Sequence, residues 1–247
     1  MIGTKKFTGE EALESKVVLI DADSLMYFSS YGSEEEQILS ETKLSEKIYD
    51  ILNIVERSYK VDSYYIFVKG SNNFRYKIFP AYKKNRPEKH PIIEVLNKYL
   101  VETMGAIESH NAESDDYVFS YSQIPKFKGR SIICSVDKDL RQIPGIHYDY
   151  QKNKYHIIDE ETAKYNLAIQ MIMGDAADGI PGLKGYGPVK AEKIIKKGMT
   201  DYQCIKAILK EYQKNCTTSK EAKDQIRLNY KLLKLHEVNV EEKDLVT

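Results

Sequence analysis

Short unbroken apolar runs alternate with helical stripes through the first two thirds of the chain, and the runs then stop. Residues 16–20 (KVVLI) end at Asp21 as a strand buried on both faces would. Leu44, Ile48, Ile51, Leu52 and Val55 recur at helical spacing over residues 44–59, with Ser40 or Thr42 as the cap. Residues 64–68 (YYIFV) read as a second strand, and residues 69–91 show no period and read as a partly ordered basic loop over one end of the sheet. A helix over 92–104 closes at Gly105, and another covers 113–122. Residues 131–136 (SIICSV) form a third strand, and 146–150 and 155–158 form two shorter strands around QKNK. From Glu160 only helical patterns follow, over 160–173, 201–213 and 219–235.

Alternating strands and helices followed by helices alone predict an α/β protein. Its central, mostly parallel sheet is flanked by helices over residues 1–158, and a helical region follows over 159–247. Ligand sites in such sheets lie beyond the carboxyl ends of strands, which puts Asp21 and the pair Asp137 and Asp139 on one rim.

The candidate chemistry follows from clustered carboxylates: Asp21 and Asp23; Glu113, Asp115 and Asp116; Asp137 and Asp139; Asp175 and Asp178. Brought together they repel one another unless cations neutralise them. Oxygen ligands without His or Cys suit Mg²⁺ or Mn²⁺ rather than zinc. Taken alone, Asp137/Asp139 reads equally well as a helix cap. Lys+Arg and Asp+Glu are 37 each, so net charge argues for no partner, but its distribution does. Lys69, Arg75, Lys77, Lys83, Lys84, Arg86, Lys89 and Lys98 fall in one stretch against Glu88 and Glu94. Three cysteines without metal-ligand spacing, no apolar stretch near the roughly 18 residues of a membrane span, and a polar first 15 residues without a signal-peptide core predict a cytoplasmic protein. No partner-docking peptide is recognisable in the C-terminal tail.

The densest motif lies within residues 174–197, GDAADGIPGLKGYGPVKAEKII with its flank. Gly182, Gly185 and Gly187 let backbone N–H groups approach a phosphate, and Lys184, Lys190 and Lys193 supply charge that grips a DNA backbone without reading sequence. The segment resembles the helix–three-turn–helix signature of the 5′-nuclease family, GD-x-x-DNIPG-x-x-G-x-G-x-K-x-A. IDADSL, FRYKIFPAYKKNR, AESDD and SVDKDLRQI resemble four further motifs of that family in the same order, covering roughly residues 17–195. The short phage exonucleases that stand alone without a polymerase domain are most similar in layout.

The resemblance implies a PIN-like nuclease core and a divalent-metal-dependent 5′→3′ nuclease. Such an enzyme cuts DNA at 5′ ends, gaps, nicks or flaps, with RNA–DNA hybrids as further candidates, in replication or recombination. It implies that Asp21, Glu113 and Asp115 surround one metal with Asp116 close by, and that Asp137, Asp139, Asp175 and Asp178 hold a second. It sets Lys83 and Arg86 against the scissile phosphate, Tyr82 as a stacking platform for the terminal base, and Arg75 and Lys84 as DNA contacts. A potassium ion on the backbone carbonyls of Pro181, Leu183 and Tyr186 is implied in the same way. Asp23 is open between a metal role and capping of the next helix.

Three departures stand out. The family's aspartate at the end of the second strand is replaced by Val68 or Lys69, the stretch from Arg86 to Glu113 is short and interrupted by Pro87 and Pro91, and SLMYFSS lacks a DNA-contacting arginine, with Phe28 near its place. The second departure implies a reduced arch and removal from 5′ ends rather than threading of long flaps. The first motivates an alternative, a catalytically weak DNA-junction binding protein of the same fold. A PIN-like endoribonuclease fits less well, because such domains lack the 174–197 motif.

Overall fold

The computed structural model describes residues 15–30 and 37–240. The polar N-terminal stretch up to Glu14 and the tail beyond Val240 lie outside them. Six strands form one sheet: β1 (Lys16–Asp21), β2 (Val61–Ser71), β3 (Ile107–His110), β4 (Ser131–Cys134), β5 (Gly145–Asp149) and β6 (Lys154–Ile158). Their order is β3-β2-β1-β4-β5-β6, parallel except for the antiparallel β5–β6 pair. The chain runs outward from β1 in one direction and then resumes beside β1 in the other, so a topological switch point falls at the carboxyl end of β1.

Successive side chains of β1 point to opposite faces, and both faces are covered. Val18 and Ile20 pack with Ile66, Val68, Ile132 and Cys134 beneath α1 (Asp23–Ser29), α2 (Gln37–Glu56) and α4 (Ile92–Glu102). Val17 and Leu19 pack with Tyr65, Phe67 and Ile133 against α5 (Ser114–Gln123), through Val118 and Tyr121. A further core joins α6 (Glu160–Met173), α7 (Pro188–Ile194), α8 (Asp201–Asn215) and α9 (Ser219–Leu233). The two halves exchange side chains: Tyr82 belongs to the helical core, and Leu235 packs beneath the sheet.

Several elements differ from expectation. The second helix begins at Gln37, upstream of both proposed caps, and the Thr42 hydroxyl donates to Ile38 O inside it. The 69–91 segment is more ordered than a charged loop. β2 continues to Ser71, and α3 (Phe74–Ile78) follows, capped by the Asn73 side chain accepting from Arg75 N at 2.9 Å. β3 was not legible as a strand. The two-residue strands β7 (Gly174–Asp175) and β8 (Ile180–Pro181) pair antiparallel inside the stretch expected to be wholly helical. Among the described residues no helix is long and apolar enough to cross a membrane.

Candidate active site

Every strand or helix end that carries an acidic cluster opens onto the switch point. Asp21 closes β1, buried, with Ser135 Oγ donating to it at 2.8 Å from the end of β4. Burial, then Asp23 and Asp137, push its carboxyl up to about 8. Asp115, in the first turn of α5, is raised well above the usual range by burial and by Asp137, Asp21, Glu113 and Asp139. Asp139 opens a 3-10 turn after β4 and reaches about 7 through burial, Asp137 and Asp175. Asp115 is therefore the hub on which Asp21, Glu113, Asp137 and Asp139 converge, from the end of β1, the cap of α5 and the turn after β4.

Their charge is held by neighbouring donors. Glu113 pairs with Lys83, Asp178 with Arg86, and Asp139 accepts from the Gln170 amide. Asp175, almost wholly buried, meets Lys138 Nζ at 2.8 Å and accepts from Ala177 N at 2.8 Å. Among the described residues no three His, Cys, Asp or Glu side chains are closed together as a finished metal cage. Glu113, Asp139, Asp175 and Asp178 are instead each turned toward a partner of their own. The donor set still fits a hard divalent cation: it is all oxygen, recessed, and proton-hungry because its charges crowd one another.

Lys83 has φ +56, a left-handed backbone that a non-glycine residue adopts only when its surroundings hold it. Its N–H donates to Asp178 O at 2.8 Å, and its ammonium lies between Glu113 and Asp178. Burial alone would lower its pKa, but those two carboxylates raise it, so the ammonium stays charged. Asp178 moves the other way: burial would raise it, yet Lys83, Tyr82 and Arg86 hold it below the usual carboxylate range. Arg86 is half exposed beside Asp178, and Lys84 is exposed.

Four expected roles are corrected. Tyr82 is only 2% exposed, so its ring cannot receive a base; its hydroxyl lies 2.8 Å from both Glu113 Oε2 and Asp178 Oδ2 and has one proton to give to the pair. Arg75 is buried and offers nothing to DNA, because its guanidinium grips Asp116 and donates to Leu232 O at 2.9 Å and Lys234 O at 3.1 Å. Asp116, fully buried, is consumed by that fork, by Glu113 N at 3.1 Å and by His236 N at 2.8 Å, and faces away from the cluster. Gly182 is a packing glycine: a Cβ there would meet Met173 O at 1.9 Å, so its backbone is pressed on the end of α6 rather than offered to a phosphate.

The rest of the 174–197 motif is open. Gly185 (φ +79) and Gly187 have no atom near where a Cβ would stand, and Lys184, Lys190 and Lys193 are exposed. Lys190 Nζ sits 3.4 Å from the centre of the Tyr186 ring. Of the carbonyls expected to hold potassium, Pro181 O accepts from Asn229 Nδ2 at 2.7 Å and Leu183 O from Tyr186 N at 3.0 Å.

Asp23 does not cap α1, whose cap is Ala22. Its carboxylate is half-buried beside β2, accepting from Lys69 N at 2.8 Å and Ser114 Oγ at 3.1 Å. Val68, fully buried in the sheet, brings no oxygen there. Residues that sequence reasoning missed are Lys138, Gln170, Ser114 and Ser135, whose side chains touch the acids, and Tyr27, a half-exposed ring that feels the charges of Asp23 and Arg86. Lys138 and Ser114 each carried a signal, standing between two of the acids.

Residues 16–168 match the family model for the 5′-3′ exonuclease N-terminal resolvase-like domain. The chain is 28% identical to a 5′-3′ exonuclease of Buchnera aphidicola subsp. Acyrthosiphon pisum over 93% of its own length and 91% of the relative's. It is 26% identical to the thermostable DNA polymerase I of Thermus caldophilus over 74% of its length, but spans only 24% of that polymerase. In fold it is similar to the bacteriophage T5 flap endonuclease solved as a pseudo-enzyme–product complex with DNA and metal ions, with a TM-score of 0.68 at 13% identity and 89% of each chain covered. The family match takes in well over half the chain, so this protein belongs to the 5′-3′ exonuclease family through its N-terminal resolvase-like domain.

Proposed function

We propose that the chain is a divalent-metal-dependent, structure-specific 5′→3′ nuclease acting on DNA at 5′ ends, gaps, nicks or flaps. The observation that carries this reading is the convergence of Asp21, Asp137, Asp139 and Glu113 on Asp115, with Lys83 and Arg86 beside them. Asp21, Glu113 and Asp115 would hold one Mg²⁺ or Mn²⁺ ion and Asp137, Asp139, Asp175 and Asp178 another; such a pair lowers the pKa of an attacking water and neutralises charge at phosphorus. Asp23, fixed on the N–H of Lys69, supplies a carboxylate at the strand end where Val68 has none.

The chain's own groups do the rest. Lys83 and Arg86 lie where a phosphodiester would displace them from Glu113 and Asp178, and there they stabilise the charge that develops on its oxygens. Tyr82 keeps Glu113 and Asp178 together through one shared proton. Tyr27, exposed at the rim, takes the base-stacking role that Tyr82 cannot fill. Lys84, Lys184, Lys190 and Lys193 grip duplex phosphates. A potassium ion on the remaining lone pairs of Pro181, Leu183 and Tyr186 carbonyls, and activity on RNA–DNA hybrids, belong to the same reading.

A 5′-labelled gapped duplex incubated with Mn²⁺ tests it. Short labelled products are expected from the wild type and none from Asp139→Asn or Asp175→Asn, with duplex binding retained. Undiminished turnover in both variants removes the metal assignment. Duplex binding by the wild type without cleavage in any divalent metal makes the protein a junction binder instead.

A further inference from the structure

Tyr186 stands between two glycines, Gly185 (φ +79) and Gly187, at the head of α7, a helix of seven residues. Glycines leave such a turn free to change its angle unless something outside it holds on. Here the hold is the tyrosine side chain. Its ring is half-buried on the helical core, and its hydroxyl donates to Glu211 Oε2 at 2.9 Å. The same hydroxyl accepts from Asn215 Nδ2 at 3.2 Å, one turn further along α8. One proton given and one received satisfy a phenol, so the ring is pinned in place. Its anchors are themselves fixed. Glu211 is buried, and Lys214 Nζ meets its other oxygen at 2.6 Å. Lys214, and Tyr186 against the pull of burial, hold that carboxyl below the usual range, so it stays charged. Asn215 Nδ2 also donates to Glu211 O at 2.8 Å.

The ring carries Lys190 on its face, with Nζ 3.4 Å from the ring centre. Lys190 is exposed, and among the described residues it enters no ion pair. A free lysine stem samples many rotamers and loses that freedom when its ammonium meets a phosphate. A stem already laid on a pinned ring has lost it beforehand, while the N–H groups turned away from the ring are free to donate. We propose that Tyr186 is a positioning residue for duplex binding, its ring locked to α8 by Glu211 and Asn215 so that the Lys190 ammonium is set in advance for a backbone phosphate. The inference rests on the reading of Lys190 as a duplex contact, and adds to it the group that aims the charge.

A double-mutant cycle tests it, with anisotropy of a fluorescently labelled duplex in Ca²⁺ over a series of NaCl concentrations. Lys190→Ala should flatten the salt dependence by about one unit of slope. Tyr186→Leu should weaken binding by about two- to fivefold in the wild-type background, the worth of an exposed cation–ring pair. That loss should vanish in Lys190→Ala and persist in Lys193→Ala. Tyr186→Phe keeps the ring and frees it from Glu211, so it should show the same coupling with a smaller loss, and carries the test if the leucine variant does not fold. In the free protein the Lys190 ε-methylene proton resonances should lie upfield from the ring current and return in Tyr186→Leu. An equal loss in both lysine backgrounds overturns the proposal, because a merely deformed turn would hurt every contact alike. Tighter binding by Tyr186→Leu also overturns it, since the ring would then hold the lysine back from DNA. A wild type that binds duplex with a slope unchanged in Lys190→Ala removes the lysine contact and the proposal with it. No duplex binding by the wild type does the same, while cleavage of the gapped duplex with Mn²⁺ reports on the nuclease reading by itself.

Discussion

Replacing Asp116 by asparagine separates a carboxylate that holds the fold from one that holds a cation. Asp116 is fully buried and takes four donors: Arg75 Nη1 at 2.5 Å and Nη2 at 3.0 Å, His236 N at 2.8 Å and Glu113 N at 3.1 Å. Asparagine keeps the shape but turns an NH₂ toward at least one of these donors and removes the charge opposite a guanidinium only 3% exposed. Breaking a buried ion pair from one side costs about 3–5 kcal/mol. Arg75 keeps its bonds to Leu232 O and Lys234 O, which places the expected loss near the middle of that range, about 4 kcal/mol. At about 2–4 °C per kcal/mol for a chain of this size, Tm should fall by roughly 8–16 °C. Urea unfolding followed by circular dichroism gives the free energy, and titration calorimetry with Mn²⁺ gives the number and affinity of bound ions. Stability should fall while Mn²⁺ stoichiometry stays that of the wild type. The double variant Arg75→Met/Asp116→Leu should recover much of the loss, since no orphaned charge remains. A single variant within about 1 kcal/mol of wild type, or one that folds normally but loses an ion, refutes the reasoning and returns Asp116 to the metal site.

The other predictions concern charge and space at the same rim. Asp21 and Asp139 are raised from 3.8 to about 8 and about 7, burial first, so the folded protein binds their protons more tightly than the unfolded chain does. The stability this contributes is complete below the unfolded pKa and is lost as pH rises through 7 and 8, so Tm in EDTA should drop between pH 6 and 9 and saturating Mn²⁺ should reverse the drop. A Tm in EDTA that rises over that interval contradicts the crowding. Lys138→Met removes the ammonium 2.8 Å from Asp175 and should tighten Mn²⁺ binding about tenfold in calorimetry, worth about 1.4 kcal/mol; weaker binding means that Lys138 positions the acid instead of competing for it. Gly182→Ala drives a methyl to 1.9 Å from Met173 O and should lower stability by about 1–3 kcal/mol or more in urea, whereas Gly185→Ala meets no atom and pays only for its φ of +79. Equal losses at the two glycines refute the packing role of Gly182.

Much of the frame was legible because buried parallel strands are written as continuous apolar runs, and β1, β2 and β4 follow that rule. β3 did not, since IESH buries only Ser109 fully and shows an exposed His110 at its end. An edge strand with one half-covered face carries no apolar run. α3 hid within a charged stretch because its buried residue is Arg75, whose charge turns inward to meet a carboxylate. The acidic set was readable as a set, but not the direction of each side chain. Asp115 and Asp116 are adjacent in the sequence and about 100° apart around α5; one faces the cluster and the other the interior. Tyr82 failed for the same reason: an aromatic beside basic residues looks like a stacking platform until the helical core closes over its ring. Gln170 and Ser135 were invisible, because an amide or hydroxyl that steadies an acid leaves no pattern of its own.

Beyond α9 the backbone turns back toward the sheet. Leu235 N donates to Gln142 Oε1, Gln142 Nε2 meets both Leu233 O and Gln170 Oε1, and the Gln170 amide holds Asp139. On the other side Val238 N donates to Ser120 Oγ within α5. The segment thus works as a buckle with one prong near Asp139 and the other on the helix that bears Asp115. On the proposed nuclease reading, a torque applied to the distal helices by a bound duplex would be delivered to both groups at once, so that gripping the double strand and aligning the cutting edge would share one mechanical linkage.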